Sequence, residues 1–505
     1  MQKLSQIQVD AAVALFGEER YQEAAAAAQA MLAVAPGFGL GWKILGTSQL
    51  LLGQDASAAL TRAGILLPND GAVFANLGKA LLTAQRYEEA AQACRRAIAI
   101  DGKLAEACCN LAAALRELGK PLEVVAAFRD LCAAMPEAPA AWSWLGTALM
   151  QAGEYEEAEA AFGKALRLAP DFADAMLGMG FLRLTQGNYA EGWRYYEARW
   201  RVDTWTVKIK TNSPRWDGSQ PLAGKTLLLL CEQGFGDSIQ FVRYAAQFAG
   251  KFADSSARIV LVAQEELKPL FAGLPGIDAL IGFHDQMVQF DYHCTLMSLP
   301  FAFQSTTDNI ALAQGYLQAN AGRAQAWQVA LGESDAEANA DANVRTRVGV
   351  VWAGNPKFYN DRNRSIPYET FAALFAVPCC RFHSLQKRAE RHAGEHATLP
   401  PDVIDLAPHL RDFSETAALI HNLDLVITVD TSVAHLAGAM GKETWLLLPY
   451  VPDWRWMLHR PDTPWYDSLR LFRQSAPGDW TGVIETVARE LSTRYSSLGP
   501  SAPQK

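Results

Sequence analysis

Several features that mark whole protein classes are absent from this sequence. Half of its 505 residues are hydrophobic, but no stretch reaches the roughly 18 uninterrupted apolar residues that a membrane-spanning helix needs. The first ten residues, MQKLSQIQVD, lack the basic segment and apolar core of a secretory signal. We therefore expect a cytoplasmic protein with no integral membrane segment.

A net positive charge is absent as well. The formal net charge is −9 at pH 7, whereas general binding of DNA or RNA needs a basic face. A locally basic pocket is still compatible with this charge balance. The sequence therefore predicts no nucleic-acid partner.

Metal-binding patterns are the third absence. The eight cysteines form no CxxC pair with matching His or Cys partners, and the adjacent pairs Cys108-Cys109 and Cys379-Cys380 suit neither zinc nor a disulfide framework. The chain also has no Asp-x-Asp pair of the kind that holds a divalent cation on a diphosphate. We predict reduced cysteines in the core and no metal site.

The first 200 residues contain an internal repeat. A small residue that lets two helices touch recurs with spacings of 32, 34, 34 and 34, at Gly46, Gly78, Ala112, Gly146 and Gly180. Prolines close most units. The pattern resembles the tetratricopeptide repeat, a helix-turn-helix of about 34 residues. About six units are expected to form a curved solenoid.

Such a solenoid has a concave groove, which usually holds an extended peptide or a partner protein. A passive spacer or a dimerisation arm is the alternative. The last unit departs from the pattern at residues 192–200, where large aromatics replace small packing residues. We expect that helix to pack on the next domain and not on another repeat.

From about residue 205 the pattern changes to alternating strands and helices, which is typical of parallel α/β domains. In the first set we predict strands at 226–231 and 258–262 and helices at 236–250 and 265–271. In the second set we predict strands at 348–352, 381–385, 425–429 and 444–448. The stretch 332–345 between the sets is predicted to be a linker. Ligands of such domains bind beyond the carboxyl ends of the strands.

A glycine-rich turn, Gln233-Gly234-Phe235-Gly236-Asp237, follows the first predicted strand. Its glycines permit a tight turn, and Asp237 lies at the start of the next helix with its carboxylate near the predicted cleft. Aspartate is also a good helix cap. Capping and catalysis are therefore both open for Asp237 on this pattern alone.

Basic residues follow the strand that ends at Trp352. Lys357, Arg362 and Arg364 lie in one loop, as binding of a diphosphate requires. Solvated surface arginines are the alternative, especially for Arg362. Asn355 and Ser365 are further candidate contacts in this loop.

The strongest pattern is a strand that ends in Asp430-Thr431-Ser432 and turns at once into a helix carrying His435. Thr431 or Ser432 can cap this helix, and a helix N-terminus favours phosphate. His435 either faces the phosphates or packs in the core. Gln386 and Lys387 follow another strand as candidate nucleotide contacts. The segment 450–456 either lines the cleft or packs between domains.

These turns resemble those of the heptosyltransferase family, whose fold is the GT-B arrangement of two Rossmann-like domains. The resemblance covers about 280 C-terminal residues and implies a general base at Asp237, a donor-phosphate contact at Arg364 and a donor-gripping turn at Asp430. Ser432 replaces a usual glycine and Arg364 a usual lysine. The implied donor-binding residues are Gln233, Gly234, Gly236, Asn355, Arg364, Ser365, Gln386, Lys387, Asp430, Thr431, Ser432 and His435.

The fusion of repeats to this kind of transferase is similar to bacterial protein glycosyltransferases that modify flagellin. It implies transfer from a nucleotide sugar, CMP- or ADP-linked, to a Ser or Thr hydroxyl of an acceptor protein held by the repeat groove. No cofactor is implied. A heptosyltransferase acting on lipopolysaccharide and a peptide-binding scaffold with an inactive transferase half are the alternatives.

The expected fold is thus an α solenoid of tetratricopeptide repeats joined to an α/β GT-B fold. We predict a repeat domain over residues 1–203, a first Rossmann-like domain over 204–335, and a second, nucleotide-sugar-binding domain over 346–505.

Overall fold

The computed structural model describes residues 4–202, 211–251, 256–310, 315–338, 346–358, 360–378, 380–387 and 399–495. The chain divides into two compact units, Met1–Gly178 and Met179–Lys505. The predicted domain limits at residues 203 and 204, the end of the chain at 505, and Cys379 lie outside the described residues. Within the described residues, no helix is both long and apolar enough to span a membrane.

The predicted repeats are present as helical hairpins. Residues 4–202 form the helices α1 to α12: Gln6–Gly17, Tyr21–Val34, Gly39–Leu51, Ser57–Leu66, Gly71–Thr83, Tyr87–Ile100, Ala105–Glu117, Pro121–Ala134, Pro139–Ala152, Tyr155–Leu168, Ala173–Thr185 and Tyr189–Tyr196. The repeated small residues lie where helices touch, as predicted. A Cβ atom added to Gly46 would lie 2.7 Å from Leu60, and one added to Gly146 would lie 2.7 Å from Phe162. Larger residues there would force these helices apart.

The last helix, α12, packs in the second unit through aromatic residues. Trp193 is 2% exposed, and its ring centroid lies 5.3 Å from that of Trp454 and 6.1 Å from that of Phe241. Tyr189 accepts a 2.8 Å hydrogen bond from the indole of Trp465. The prediction that this helix packs on the α/β region is confirmed.

The first α/β region contains a parallel sheet of four described strands, β1 to β4: Thr226–Leu230, Arg258–Ala263, Ala279–Gly282 and Tyr292–Thr295. The strand order is β3-β2-β1-β4, and Leu228 of β1 is paired with Val260 of β2. Leu228 and Val260 are fully buried. Among the described residues, the associated helices α13 to α17 are Phe235–Phe241, Ala245–Lys251, Lys268–Phe271, Leu299–Ala302 and Ala321–Ala338.

The helix predicted over residues 236–250 is interrupted. It ends at Phe241, and a 3₁₀ turn, Val242–Tyr244, precedes α14. The backbone carbonyl of Gln240 accepts a hydrogen bond from Arg243 Nε at 2.8 Å, and that of Ile239 accepts one from Tyr316 at 2.9 Å. Side chains therefore occupy carbonyls that a continuous helix would use.

The predicted linker at residues 332–345 begins inside a helix. Helix α17 continues to Ala338, so the prediction is wrong for residues 332–338. Alanine and glutamate have high helix propensity, and these residues extend the helix. Residues 339–345 lie outside the described residues.

The second α/β region contains six described parallel strands, β5 to β10: Thr346–Val351, Cys380–Ser384, Ile404–Asp405, Leu425–Val429, Thr444–Leu448 and Leu469–Arg473. Their order is β10-β9-β8-β5-β6-β7, so the direction of winding reverses between β5 and β8. The described helices here, α18 to α22, are Asp361–Arg364, Tyr368–Phe371, Phe413–His421, Ser432–Ala439 and Trp480–Tyr495. Ligands of doubly wound sheets bind at such a reversal.

Candidate active site

The candidate residues follow the carboxyl ends of parallel strands, one in the first sheet and two in the second. The turn with Asp237 follows β1, the loop with Arg364 follows β5, and the turn with Asp430 follows β8. Strands β5 and β8 are adjacent, so their two loops flank the reversal point of the second sheet. The parallel arrangement therefore places the Arg364 and Asp430 loops at one edge.

Asp237 lies in the first turn of α13 and caps that helix. Its Oδ2 atom accepts a hydrogen bond from the Gly234 amide at 2.8 Å, while Oδ1 forms an ion pair with Arg455. The side chain retains 20% exposure. Burial raises the pKa of Asp237 above its ordinary value, and Arg455 and the Gly234 amide oppose this shift. Asp237 is a cap whose second oxygen faces a cation from the other sheet.

The beginnings of α13 and α21 meet at Gly236. A Cβ atom added to Gly236 would lie 2.8 Å from His435 Cδ2 and 3.5 Å from Ser432 Cα. Any larger residue would push the two turns apart. The Gly236 turn and the Ser432 turn, which lie about 200 residues apart in the chain, are therefore in direct contact. The absence of a side chain at Gly236 permits this close approach.

His435 is a packed side chain of α21 and is 5% exposed. Its Nδ1 atom shares a 2.9 Å hydrogen bond with the Tyr466 hydroxyl, and its ring stacks on Trp456 at 5.3 Å. Burial lowers the pKa of His435 well below its ordinary value, and Arg455, Arg243 and Arg364 add to this shift. His435 is therefore a neutral ring at neutral pH, with one nitrogen used by Tyr466.

Arg364 lies against the backbone of the Asp430 turn. Its Nη1 atom donates to the Asp430 carbonyl oxygen at 2.9 Å, and Nε donates to Asp361 Oδ1 at 3.0 Å. The guanidinium carbon is 4.4 Å from the centroid of the Phe358 ring, and the side chain is 17% exposed. Arg364 is thus held rigidly at the reversal point with part of its surface open.

The turn after β8 differs from the predicted helix cap. Thr431 occupies the N-cap position but makes no side-chain capping bond. Its hydroxyl lies 3.2 Å from that of Thr428 instead. Of the two predicted caps, Thr431 and Ser432, Thr431 occupies the N-cap position, and the side-chain capping bond predicted for it is not formed. The first backbone amides of α21 therefore receive no hydrogen bond from the Thr431 hydroxyl, and the positive end of the helix dipole lies at this turn.

Asp430 is an acidic group in an environment that disfavours its charge. Burial and, to a smaller extent, nearby Asp453 raise the pKa of Asp430 to about 6 against the opposing effect of Arg364. A carboxyl whose pKa lies near the working pH is common at functional sites. Asp430 therefore accommodates a proton more readily than a surface aspartate does.

The remaining predicted contacts hold loops in place. Gln386 Oε1 accepts from the Ala353 amide at 2.8 Å, and Ser365 Oγ accepts from the Gly354 amide at 2.9 Å. Asn355 is exposed, with Oδ1 accepting from the Lys357 amide at 3.0 Å. Lys387 and the neighbouring loop residue Arg362 are also exposed. Gln386 and Ser365 thus shape the loop after β5, and Asn355 caps its own turn.

Gln233 connects the first turn to the last repeat helix. It has a left-handed backbone φ of 62°. Its side-chain nitrogen Nε2 donates a hydrogen bond to the Tyr196 hydroxyl at 3.2 Å. The preceding Glu232 is buried and accepts from Arg199 at 2.8 Å. Residues of the repeat region thus contact the turn that carries Asp237.

Arg455 is a functional candidate that the sequence patterns did not single out. It lies in a 3₁₀ turn, Trp454–Trp456, after β9, in the segment 450–456 that was predicted either to line the cleft or to pack between domains. Its Nη1 atom donates to Asp453 at 2.9 Å, and Nε donates to Gln240 at 2.5 Å. The signal present in the sequence was an acidic residue, Asp453, two positions before Arg455.

Comparisons with known proteins now bear on both regions. Residues 53–105 and 139–172 match the tetratricopeptide repeat. Residues 377–447 match glycosyltransferase family 9 (heptosyltransferase). The chain carries tetratricopeptide repeats and a heptosyltransferase-like glycosyltransferase domain. The matched part of this glycosyltransferase contains Asp430 and His435 and ends before Arg455.

Similar proteins extend these matches. Protein FlbA of Caulobacter vibrioides is 26% identical over 516 residues, which cover 90% of this glycosyltransferase and 84% of FlbA. The solved structure of YrrB, described as a TPR protein with an unusual peptide-binding site, is 18% identical, with a TM-score of 0.31 and coverage of 34% of this chain and 90% of YrrB. PilW, a type IV pilus biogenesis factor, is 22% identical, with a TM-score of 0.34 and coverage of 40% and 94%.

Proposed function

We propose that this glycosyltransferase moves a sugar from a nucleotide-activated donor to a Ser or Thr hydroxyl of a protein that its repeats recruit. The observation that carries the proposal is the contact of Gly236 with His435. It brings a partly exposed carboxylate, Asp237, to the turn that begins α21. A base and an anion-favouring helix end are two components that an inverting, metal-independent transfer from a nucleotide sugar uses.

In the proposed reaction, Asp237 removes the proton from the acceptor hydroxyl while the oxygen of that hydroxyl attacks the anomeric carbon. The new bond joins the acceptor oxygen to that carbon, and the bond from the carbon to the donor phosphate breaks. The nucleotide leaves with the bonding electron pair, and the proton stays on Asp237. This assignment makes transfer inverting. The raised pKa of Asp237 suits a base, because a stronger base accepts the proton more readily.

The leaving phosphate gains negative charge, and two features of the second sheet favour that charge. Arg364 is held by Asp361 and by the Asp430 carbonyl, so little side-chain freedom is lost on binding. The α21 N-terminus adds backbone amides at Ser432 and its neighbours. We assign both to the donor phosphates in a metal-independent GT-B site, with Asp430 and His435 shaping the turn.

The acceptor side of the proposal rests on the repeats. Tetratricopeptide arrays commonly hold extended peptides or partner proteins, and a Ser or Thr side chain in such a segment supplies the attacking hydroxyl. We propose flagellin as the acceptor, with a nonulosonic acid as one possible sugar, and we place the reaction in the cytoplasm, where nucleotide sugars are available to a protein acceptor. CMP- and ADP-linked sugars are the two donor classes to test.

The first experiment identifies the donor nucleotide. CMP, ADP, UDP and GDP are added separately to the purified full-length protein, and the melting temperature is measured. A nucleotide that binds only the folded state raises the melting temperature by mass action. Arg364→Met is expected to remove most of the rise. A chain that responds to none of the four nucleotides would favour a peptide-binding scaffold with an inactive transferase half.

The second experiment tests the base. Asp237→Asn is expected to reduce sugar transfer by about 10²-fold or more, since general base catalysis contributes that much. The matched control is Asp412→Asn, because Asp412 also caps a helix, through the Glu415 amide at 2.7 Å, and pairs with an arginine, Arg323, at 2.8 Å. Asp412→Asn is expected to retain transfer. Unchanged transfer by Asp237→Asn would refute the assignment.

A second candidate acceptor is lipopolysaccharide, because the family match carries the description heptosyltransferase. The two acceptors are separated by removing residues 1–178, the first compact unit, and leaving α12 in place. Loss of transfer to protein with retained turnover of donor supports recruitment by the repeats. Transfer of heptose to lipopolysaccharide by the shortened chain, which must show its own cooperative melting, supports the second candidate.

A further inference from the structure

Arg455 connects the two sheets at the candidate site. It follows β9 of the second sheet, and its Nη2 atom is paired with Asp237 Oδ1, which follows β1 of the first. Its Nε atom donates to Gln240 Oε1 on α13. Two groups of the first sheet thus receive hydrogen bonds from one guanidinium of the second.

The guanidinium is held on every side. Asp453 accepts from the Arg455 amide at 3.0 Å and from Nη1 at 2.9 Å, and the Trp454 ring lies 4.3 Å from the guanidinium carbon. The side chain is 8% exposed. A buried arginine whose three nitrogens each have a partner is restricted in orientation, and its planar fork transmits that orientation to the carboxylate it pairs with.

Both oxygens of Asp237 are therefore fixed by different partners. The Gly234 amide binds Oδ2 at 2.8 Å, and Arg455 binds Oδ1 from the opposite sheet. The helix cap alone would leave the carboxylate free to rotate about one contact. With Arg455 in place, the carboxylate plane is defined by two contacts.

We propose that Arg455 is a positioning residue for Asp237: it orients the carboxylate across the cleft and supplies its countercharge. The inference rests on the proposed function for the role of Asp237 and extends it to a residue of the other sheet. Arg455 does not take up the proton itself, because its guanidinium stays protonated throughout.

Other titratable and charged groups around Asp237 also influence the pH dependence of activity. Asp453 acts on Asp237 and opposes ionisation, and Tyr196 of α12 is also within electrostatic reach. Asp430 and His435 lie on the facing turn. The Asp430 pKa of about 6 falls in the range in which activity would be measured, so its titration must be separated from that of Asp237.

The test compares Arg455→Met and Arg455→Lys with Arg494→Met, which removes a half-exposed arginine paired with Glu443. Release of nucleotide from a CMP- or ADP-linked sugar is measured against pH. An ionised base is required, so activity falls on the acidic side. Loss of Arg455 removes the cation that favours ionisation, so the acidic limb is expected to move to higher pH by about 1–3 units.

For Arg455→Met we expect kcat to fall by about 10–100-fold, as misplacement of a reacting group does, with a donor KM within about threefold of wild type. Arg455→Lys is expected to recover part of kcat, and Arg494→Met to match wild type. The pH profile is measured again in an Asp430→Asn background. If the acidic limb still shifts when Arg455 is replaced, the shift is assigned to Asp237. A folded Arg455→Met protein with unchanged kcat and an unchanged limb overturns the proposal.

A measurement without donor separates this inference from the proposed function. The melting temperatures of wild type, Asp237→Asn, Arg455→Met and the double variant form a cycle. If the two residues are coupled, Arg455→Met lowers the melting temperature less in the Asp237→Asn background than in wild type. Additive shifts overturn the positioning role even if transfer occurs. A wild-type chain that turns over no donor, with the coupling intact, refutes the proposed function and leaves the orientation of Asp237 by Arg455 standing.

Discussion

The inner repeat hairpins and the last helix of the repeat region share one sequence period, but the side chains at their contacts differ in size and charge. Between α9 and α10, Gly146 lies against Phe162, and the neighbouring ion pair Arg129–Glu157 is about half exposed. Around α12 the second unit buries Trp193 among aromatic rings, and the Arg199–Glu232 pair has no exposure. Small residues and surface charges are sufficient where one hairpin stacks on the next. A large apolar and ionic contact is required where a helix becomes part of an α/β core.

The largest expected difference concerns the buried ion pair. Arg199→Met leaves Glu232 buried without its cation and removes one cation from the partly exposed Glu197, and removal of one partner of a buried pair costs about 3–5 kcal/mol. We expect a value at the upper end of this range. Urea unfolding measures it, and hydrogen exchange resolved by peptide is expected to locate the loss in residues 179–505. A loss below about 1 kcal/mol would contradict the distinction between the two regions.

The aromatic contact is expected to be nearly as important. Trp193→Ala removes a side chain that is 2% exposed and packed against Phe241, Trp454 and Trp465. Replacement of a buried tryptophan by alanine costs about 3–5 kcal/mol because a cavity remains. The unfolding free energy of the second unit is expected to fall by this amount. Equal loss of exchange protection in residues 4–170 would show that the contact is not specific to this unit.

Two glycines, one in each region, are expected to show a smaller difference in stability when they are replaced by alanine. A Cβ atom at Gly180 would lie 2.9 Å from the Tyr196 backbone nitrogen, whereas the three atoms nearest to one at Gly146 belong to the Phe162 ring. Backbone cannot rotate away as a side chain does, so Gly180→Ala is expected to cost about 1–3 kcal/mol, and Gly146→Ala less. Thermal unfolding of the two variants provides the test. The reverse order would mean that α12 has room to shift.

The smallest effect is expected for the exposed pair. Arg129 and Glu157 keep 52% and 57% exposure, and such pairs contribute about 0–1 kcal/mol. Arg129→Met is therefore expected to change the unfolding free energy by less than about 1 kcal/mol, and raised salt is expected to abolish even that difference. It is the matched partner of Arg199→Met. A cost similar to that of the buried arginine would remove the contrast.

Much of the fold could be predicted because it depends on local periodicity. The 34-residue spacing predicted the hairpins, and the strands Leu425–Val429 and Thr444–Leu448 match their predicted bounds. Continuous apolar runs between turn residues are typical of buried parallel strands. The short strands Ala279–Gly282 and Ile404–Asp405 have no comparable run, and nothing in the local pattern separated them from loops.

The site was predictable to the extent that it consists of strand ends. Asp237, Arg364 and Asp430 each follow a strand, and the structure brings their loops to the edges of the two sheets. Their roles in transfer stay predictions. The donor contacts of Gln386 and Ser365 also stay predictions, and the structure shows each side chain bonded to backbone amides of the loop after β5. Side-chain contacts to backbone amides of this kind have no pattern in the sequence.

The sequence by itself determined the repeat period, the strands and helices that have a strong local pattern, and the turns that carry a carboxylate or begin a helix, because each depends on neighbouring residues. Only the tertiary structure decided that α13 ends at Phe241 and that Asp237 pairs with Arg455. That pair joins residues 218 positions apart. Its formation depends on how two sheets pack and which charges are buried together, and no local pattern records such a contact.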